Sequence, residues 1–290
     1  MQELVSPKQV ARAIGASESS LKRWCDNGLL PTTRTAGGHR RIALNGVLKF
    51  IRDNGHQLVE PEVIGLPSAV GTGERTITRA RETLLEAFTQ GSESMALRCL
   101  LDLYIGGTEV TQIFDDVIAP AMADVGKKWA GGQMEIYEER RAVEFMTTTL
   151  MEIGRLLPAP GVDDGTAPVA MGGTLSGDPY SLGARMAVLT VRDAGVQSVF
   201  LGCGLPFETY HRAVELERPS LLWISVGAIE KPPEFISEAN RLAARCKAND
   251  TLLAMGGRAL GREVAGKLQS TAVCESMAEL SRHVRSRLGD

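Results

Sequence analysis

The chain has 290 residues, 43% hydrophobic and 23% charged, with a formal net charge of −3. That length and balance fit a folded protein of several domains and exclude a disordered or collagen-like chain. No apolar run approaches the ~20 residues needed to cross a bilayer, and the N-terminus lacks the basic-then-apolar pattern of a secretory signal, so a cytoplasmic protein is expected.

The near-neutral charge hides an asymmetry. Residues 1–57 carry nine Lys/Arg against four Asp/Glu, a net of +5, which leaves −8 for the rest. A basic head on an acidic body predicts a polyanion partner for the head alone. The five cysteines, Cys25, Cys99, Cys203, Cys246 and Cys274, are scattered with no CxxC pair. They signal neither a zinc site nor a disulfide framework.

In chain order, "SPKQVARAIG" predicts a short helix with Ser6 as cap, Pro7 in the first turn and Gly15 as stop. "SESSLKRWCDNG" repeats the device from Ser17 to Gly28, with Leu21 and Trp24 inward. Two short helices and a tight turn make a helix-turn-helix candidate. "TTRTAGGHRRI" predicts a Gly-tipped hairpin, and "NGVLKFIRDNG" one more helix. Residues 58–73, rich in Pro and Gly, predict a semi-extended linker.

Residues 74–157 predict four helices, Glu74–Gln90, Glu93–Ile105, Thr108–Trp129 and Ile136–Leu157, with short connections that imply a four-helix bundle. Pro120 should kink the third. A second linker, "PAPGVDDGTAP", carries Asp163 and Asp164 as solvated charge. Beyond it, from residue 167 to 290, apolar strands "VAMGGTL", "SVFLG", "LLWISV" and "TLLAMGG" alternate with helices, with a short fifth strand near Ala272–Val273. This pattern predicts a doubly wound parallel sheet covered on both faces, of the flavodoxin-like or Rossmann-like kind. The fold class is therefore multidomain α and α/β: a winged helix-turn-helix, a four-helix bundle and an α/β domain.

"LKRWCDNGLLPTTRTAGGHRRI" resembles the excisionase-like and BldC-like branch of the MerR-type winged helix-turn-helix proteins, over about residues 4–53. Candidate DNA-binding residues are Ser19, Ser20, Lys22 and Arg23 on the second helix and Arg34, His39, Arg40 and Arg41 on the wing. The N-terminal end of a recognition helix usually meets base edges, whereas wing cations meet phosphates and give salt-dependent affinity. The partner is double-stranded DNA, and the small interface of one head implies a homo-oligomer.

The order of head, bundle and α/β domain resembles the light-responsive, cobalamin-dependent MerR-type repressors of the CarA/CarH kind. That resemblance implies a corrinoid gripped by a loop of pattern Asp-x-His-x-x-Gly, capped by a bundle motif of Trp followed by Glu-His. Asp178 and Gly183 match the loop, Ser225 a strand-end Ser, Gly256 and Gly257 a glycine pair, and Trp129 and Glu139 the bundle motif. Tyr180 and Arg140 stand at the two histidine positions. A Tyr phenol, with a reference pKa near 10, is a poor cobalt ligand, and Arg has no lone pair to give.

These residues together form a hypothetical ligand pocket with no metal. The expectation is a DNA-binding regulator with a degenerate cobalamin-type module, without cofactor and without adenosylcobalamin photochemistry, acting through oligomer state or a small-molecule or protein effector. The alternatives are a regulator that still binds cobalamin His-off or another tetrapyrrole, and a corrinoid carrier. An enzyme is not expected: "GGTLSG" lacks both the P-loop Lys and the GxGxxG spacing.

Overall fold

The computed structural model describes residues 3–73, 76–158, 167–269 and 271–289. The chain divides into two compact units, Met1–Pro158 and Ala159–Asp290. Asp163 and Asp164 of the second linker lie outside the described residues. Among those described, no helix is long and apolar enough to cross a membrane.

The head opens with strand β1 (Leu4–Val5), then helix α1 (Pro7–Ala13) and helix α2 (Glu18–Asp26). Ser6 and Gln9 close a reciprocal capping box on α1, and the Ser17 side chain caps α2 by accepting from the Ser20 N–H. These bonds satisfy amide donors that a helix start otherwise leaves open. Strands β2 (Thr32–Arg34) and β3 (Arg40–Ala43) pair antiparallel as the hairpin, and β1 adds to β3 to make a three-stranded sheet. Helix α3 (Leu44–Asn54) packs behind it and presents Phe50 to Trp24, ring centroids 5.1 Å apart. Trp24 is half-buried rather than fully inward.

Residues 58–73 are not a semi-extended linker. They form a packed strap with a 3-10 turn at Pro61–Ile64, and Leu58, Ile64, Leu66 and Val70 are buried. The Val59 and Glu60 N–H groups donate to the Ala13 carbonyl, Arg12 pairs with Glu60 at 2.5 Å, and the Gly71 N–H donates to the buried Asp102 carboxylate. Apolar anchoring and backbone pairing at once outweigh the extended preference of a Pro/Gly-rich stretch. Head and bundle consequently share one compact unit.

The bundle consists of α4 (Ile77–Gln90), α5 (Glu93–Ile105), a composite third helix and α8 (Ile136–Leu156). Residues 74–75, where the first helix was placed to begin, lie outside the described residues. The third helix runs as α6 (Val110–Gln112), a π-helical stretch Ile113–Ile118 and α7 (Ala119–Ala130). Pro120 stands in the first turn of α7, directly after the π stretch. The wider i→i+5 turn relieves the collision between a proline ring and the carbonyl four residues back. Phe88 of α4 meets Phe145 of α8 edge to face, centroids 5.5 Å apart. Arg52 of α3 lies over the Tyr104 ring at 4.8 Å and pairs with Glu109 at 2.8 Å, which docks the head on the bundle.

The second unit is a five-stranded parallel sheet in the order β5-β4-β6-β7-β8. The strands are β4 (Val169–Leu175), β5 (Gln197–Leu205), β6 (Leu221–Ser225), β7 (Leu252–Gly256) and β8 (Ala272–Cys274). Helices α9 (Leu182–Asp193) and α13 (Met277–Leu288) supply Ala184, Ala187, Val191, Leu280 and Val284 to one face. Helices α10 (Phe207–Glu217) and α11 (Pro232–Ala248) supply Tyr210, Val214, Phe235 and Leu242 to the other; the short α12 (Arg262–Ala265) follows β7. Both faces of the sheet are covered, so near-continuous apolar strands are what its burial demands. The order 2-1-3-4-5 places a topological switch point between β4 and β6, where such sheets hold ligands beyond the carboxyl ends of the strands.

Candidate DNA-binding face and candidate ligand loop

The wing is stiff for reasons visible in its bonds. Gly38, at φ +79°, lets its N–H reach the Thr35 carbonyl at 2.8 Å, and Arg34 donates to the Gly38 carbonyl at 3.3 Å. His39 stands exposed beside them. On α2, Lys22 and Arg23 are exposed, and the Ser17, Ser19 and Ser20 hydroxyls form one cluster, with Ser17 Oγ 2.8 Å from Ser19 and 3.0 Å from Ser20. Ser19, Lys22 and Arg40 converge, with Lys8, Glu18 and Cys25, on an open cleft of about 470 Å³ between α1, α2 and the wing base. Burial pushes the Cys25 thiol up, against the nearby Arg40 charge, so it stays protonated there.

Arg40 and Arg41 do not stand free of the hairpin. Both are half-buried; Arg40 pairs with Asp26 at 2.6 Å, and Arg41 donates to the Arg40 carbonyl at 3.2 Å. Lys8 and Asp26 were missed in the sequence. Lys8 stands alone in the first turn of α1, and the Asp26–Arg40 pair is a tertiary contact with no local spacing to reveal it.

In the second unit, the loop after β4 is locked to the end of β6. The Asp178 carboxylate is 5% exposed and accepts from the Gly227 N–H at 2.5 Å and the Tyr180 N–H at 2.9 Å. Tyr180 lies against Gly227, since a Cβ there would meet its Cβ and ring at 3.0 Å. Arg258 covers the other side, with its guanidinium 3.8 Å from the Tyr180 ring centroid and its Nε donating to the Gly227 carbonyl at 3.2 Å. Asp178 thus fastens the loop to the end of β6, and Arg258 stacks on Tyr180 at the switch point. Arg258 follows directly after Gly256–Gly257, a position a closer reading of that motif could have reached.

The remaining matched residues have packing reasons of their own. A side chain at Gly183 would come 3.0 Å from Ser225 Oγ, one at Gly256 2.7 Å from the Cys274 carbonyl, and one at Gly257 would overlap the Val226 carbonyl. Behind the sheet, the Tyr210 hydroxyl donates to the Thr174 carbonyl at 2.9 Å, and burial pushes its ionisation upward. His211 is 7% exposed, and burial holds its imidazole below the usual histidine range. It sits on α10 in the core and not on the loop.

In the bundle, Trp129 at the end of α7 is 43% exposed, and Ile136 and Tyr137 at the start of α8 are exposed as well. Arg140 points outward and pairs with the mostly buried Glu139 at 3.4 Å. Among the described residues, no group of three or more His, Cys, Asp or Glu is placed to hold a metal ion.

Two family models match the chain. Residues 4–55 match a helix-turn-helix domain, and residues 80–152 match a B12 binding domain. The first covers the head and the second the bundle. The chain is 26% identical over 232 residues to the HTH-type transcriptional repressor CarH of Myxococcus xanthus, spanning 74% of this chain and 76% of that protein. It is 20% identical over 215 residues to trimethylamine corrinoid protein 1 of Methanosarcina acetivorans, spanning 74% of this chain and 98% of the relative. The structure of the Methanosarcina barkeri monomethylamine corrinoid protein superposes with a TM-score of 0.57 at 16% identity, covering 73% of this chain and 99% of that one. This last likeness establishes the fold. The chain thus carries a helix-turn-helix match at 4–55 and a B12 binding domain match over the bundle at 80–152, and a parallel α/β sheet follows them.

Proposed function

We propose that the protein is a DNA-binding transcriptional regulator of the MerR type, with a head at 1–57, a bundle at 74–157 and an α/β domain at 167–290. Its B12-type module has given up protein-ligated cobalt. The observation that carries the DNA reading is the convergence of recognition-helix and wing residues on one cation-lined cleft. Ser19, Ser20, Lys22 and Arg23 face base edges and nearby phosphates, and Arg34, His39, Arg40 and Arg41 grip the backbone from the wing. The test is titration of the full chain into duplex DNA at several salt concentrations. A log–log fall of affinity with salt supports the reading, because counterions leave with each phosphate neutralised. Absence of binding even at about 50 mM salt removes it.

The residues at the loop do not fit a corrinoid held through protein imidazole. Both Asp178 oxygens are engaged with the backbone, and Tyr180 is clamped under Arg258. Trp129, Glu139, Arg140, Ser225, Gly183, Gly256 and Gly257 then serve as frame, and no step is routed through cobalt. On this reading Tyr180→His does not by itself create a tight corrinoid site, because Arg258 still covers the position. Incubation with adenosylcobalamin followed by gel filtration should leave wild type and variant without a retained cobalamin spectrum. A retained, light-sensitive spectrum in the wild type overturns the reading; one in the variant alone shows that the cavity opens on a single substitution.

A further inference from the structure

We infer that Asp26 is a built-in competitor for the DNA backbone. It holds Arg40 in the resting head, and a phosphate seated in the cleft beside Lys8 and Lys22 takes Arg40 from it. The inference rests on the DNA-binding reading and deepens it. Four observations carry it. Arg40 lines the cleft, yet its guanidinium is paired with the Asp26 carboxylate at 2.6 Å. The pair is open to water, with side chains 29% and 45% exposed, so it can exchange partners without stranding a buried charge. Lys8 and Lys22 line the same cleft and are exposed, and among the described residues neither is in an ion pair. Ser19 adds a hydroxyl at the cleft wall.

The cleft gathers three cations, Lys8, Lys22 and Arg40, against one lining acid, Glu18, and the excess positive charge is self-repelling. Asp26, in the last turn of α2, relieves that repulsion and ties the recognition helix to the base of the wing. A phosphodiester offers Arg40 the same geometry as a carboxylate, and it adds the two lysines as partners. Binding therefore exchanges one ion pair for another, and part of the electrostatic gain is spent on displacing Asp26. The acid sets an upper limit on affinity for every sequence alike, because it acts on a backbone contact and touches no base.

The experiment is a double-mutant cycle on the full chain with Asp26→Asn and Arg40→Gln, read as binding to a short mixed-sequence duplex from about 50 to 200 mM salt. Asp26→Asn in the wild-type background is expected to tighten binding about threefold or more, since an exposed pair of this kind is a weak competitor. In the Arg40→Gln background the gain should vanish. Lys8→Gln should weaken binding and flatten the log–log salt slope by about 0.9.

An equal gain in both backgrounds would show general charge removal and overturn the inference. So would weaker binding by Asp26→Asn with its far-ultraviolet circular dichroism intact, which would make Asp26 a positioning residue. If the wild type itself fails to bind duplex DNA at low salt, the proposed function falls, and the inference with it. If the wild type binds and Asp26→Asn is unchanged, the inference alone falls.

Discussion

Arg40→Ala combined with Arg41→Ala should weaken binding to every duplex by roughly a hundredfold, with no change in the ranking of sequences. On the proposed function each arginine gives one charge-assisted phosphate contact, and such contacts are worth about 1.5–3 kcal/mol apiece. The log–log salt slope should flatten by about 1.8, that is ~0.9 for each phosphate released. The fold should survive. Arg40 surrenders a partly exposed ion pair with Asp26, and Arg41 a single 3.2 Å hydrogen bond to a neighbouring carbonyl. Losses of that kind cost about 0–1 kcal/mol each. Anisotropy titrations at several salt concentrations, with thermal melts alongside, check both halves. A variant that loses affinity for one sequence only would move base reading onto the wing. Unchanged affinity would remove the wing from the interface.

Much of the architecture was legible because its signals are local. Ser6 and Ser17 announce the helix starts of the head, and both cap as anticipated. Unbroken apolar runs identify buried parallel strands, and the short fifth strand forms at Ala272–Cys274. The packed strap was not legible. Leu58, Ile64, Leu66 and Val70 follow neither a helical nor an alternating period, and only tertiary contact buries them. The π stretch before Pro120 was not legible, because a sequence shows the obstacle and not the way round it.

The candidate sites divide along the same line. The head residues follow a motif whose helices and hairpin are local, so Ser19, Lys22 and Arg40 do meet on one cleft. The ligand loop depends on partners far along the chain. Asp178 matches a corrinoid-loop position, yet here its oxygens fasten Tyr180 and Gly227, and Arg258 arrives from beyond β7 to stack on Tyr180. No spacing rule links residues 178 and 258; they meet because the sheet order puts the ends of β4, β6 and β7 side by side.

Gly172→Ala carries the largest expected effect on stability. Gly172 lies on the interior strand β4, in register with Trp223 of β6. An added methyl would overlap both the Trp223 carbonyl and its indole ring. Neither can retreat. The carbonyl belongs to a strand held between β4 and β7, and the indole is 2% exposed, donates to Ser198 Oγ at 3.2 Å and stacks on Phe200. Overpacking with no soft neighbour costs about 3 kcal/mol or more, a large part of the ~5–15 kcal/mol that holds a domain.

Gly126→Ala makes the matching control. Gly126 sits inside α7 with nothing within 4 Å of the added carbon, so the same substitution gains helix propensity of about 0.8–1 kcal/mol. Thermal and denaturant unfolding, with limited proteolysis to locate the change, should show the first variant losing the α/β unit and the second stabilising the helical unit. A Gly172→Ala protein that melts like the wild type would mean that β4 and β6 do not approach as closely as this packing requires, and the closed loop built on their carboxyl ends would then need to be redrawn.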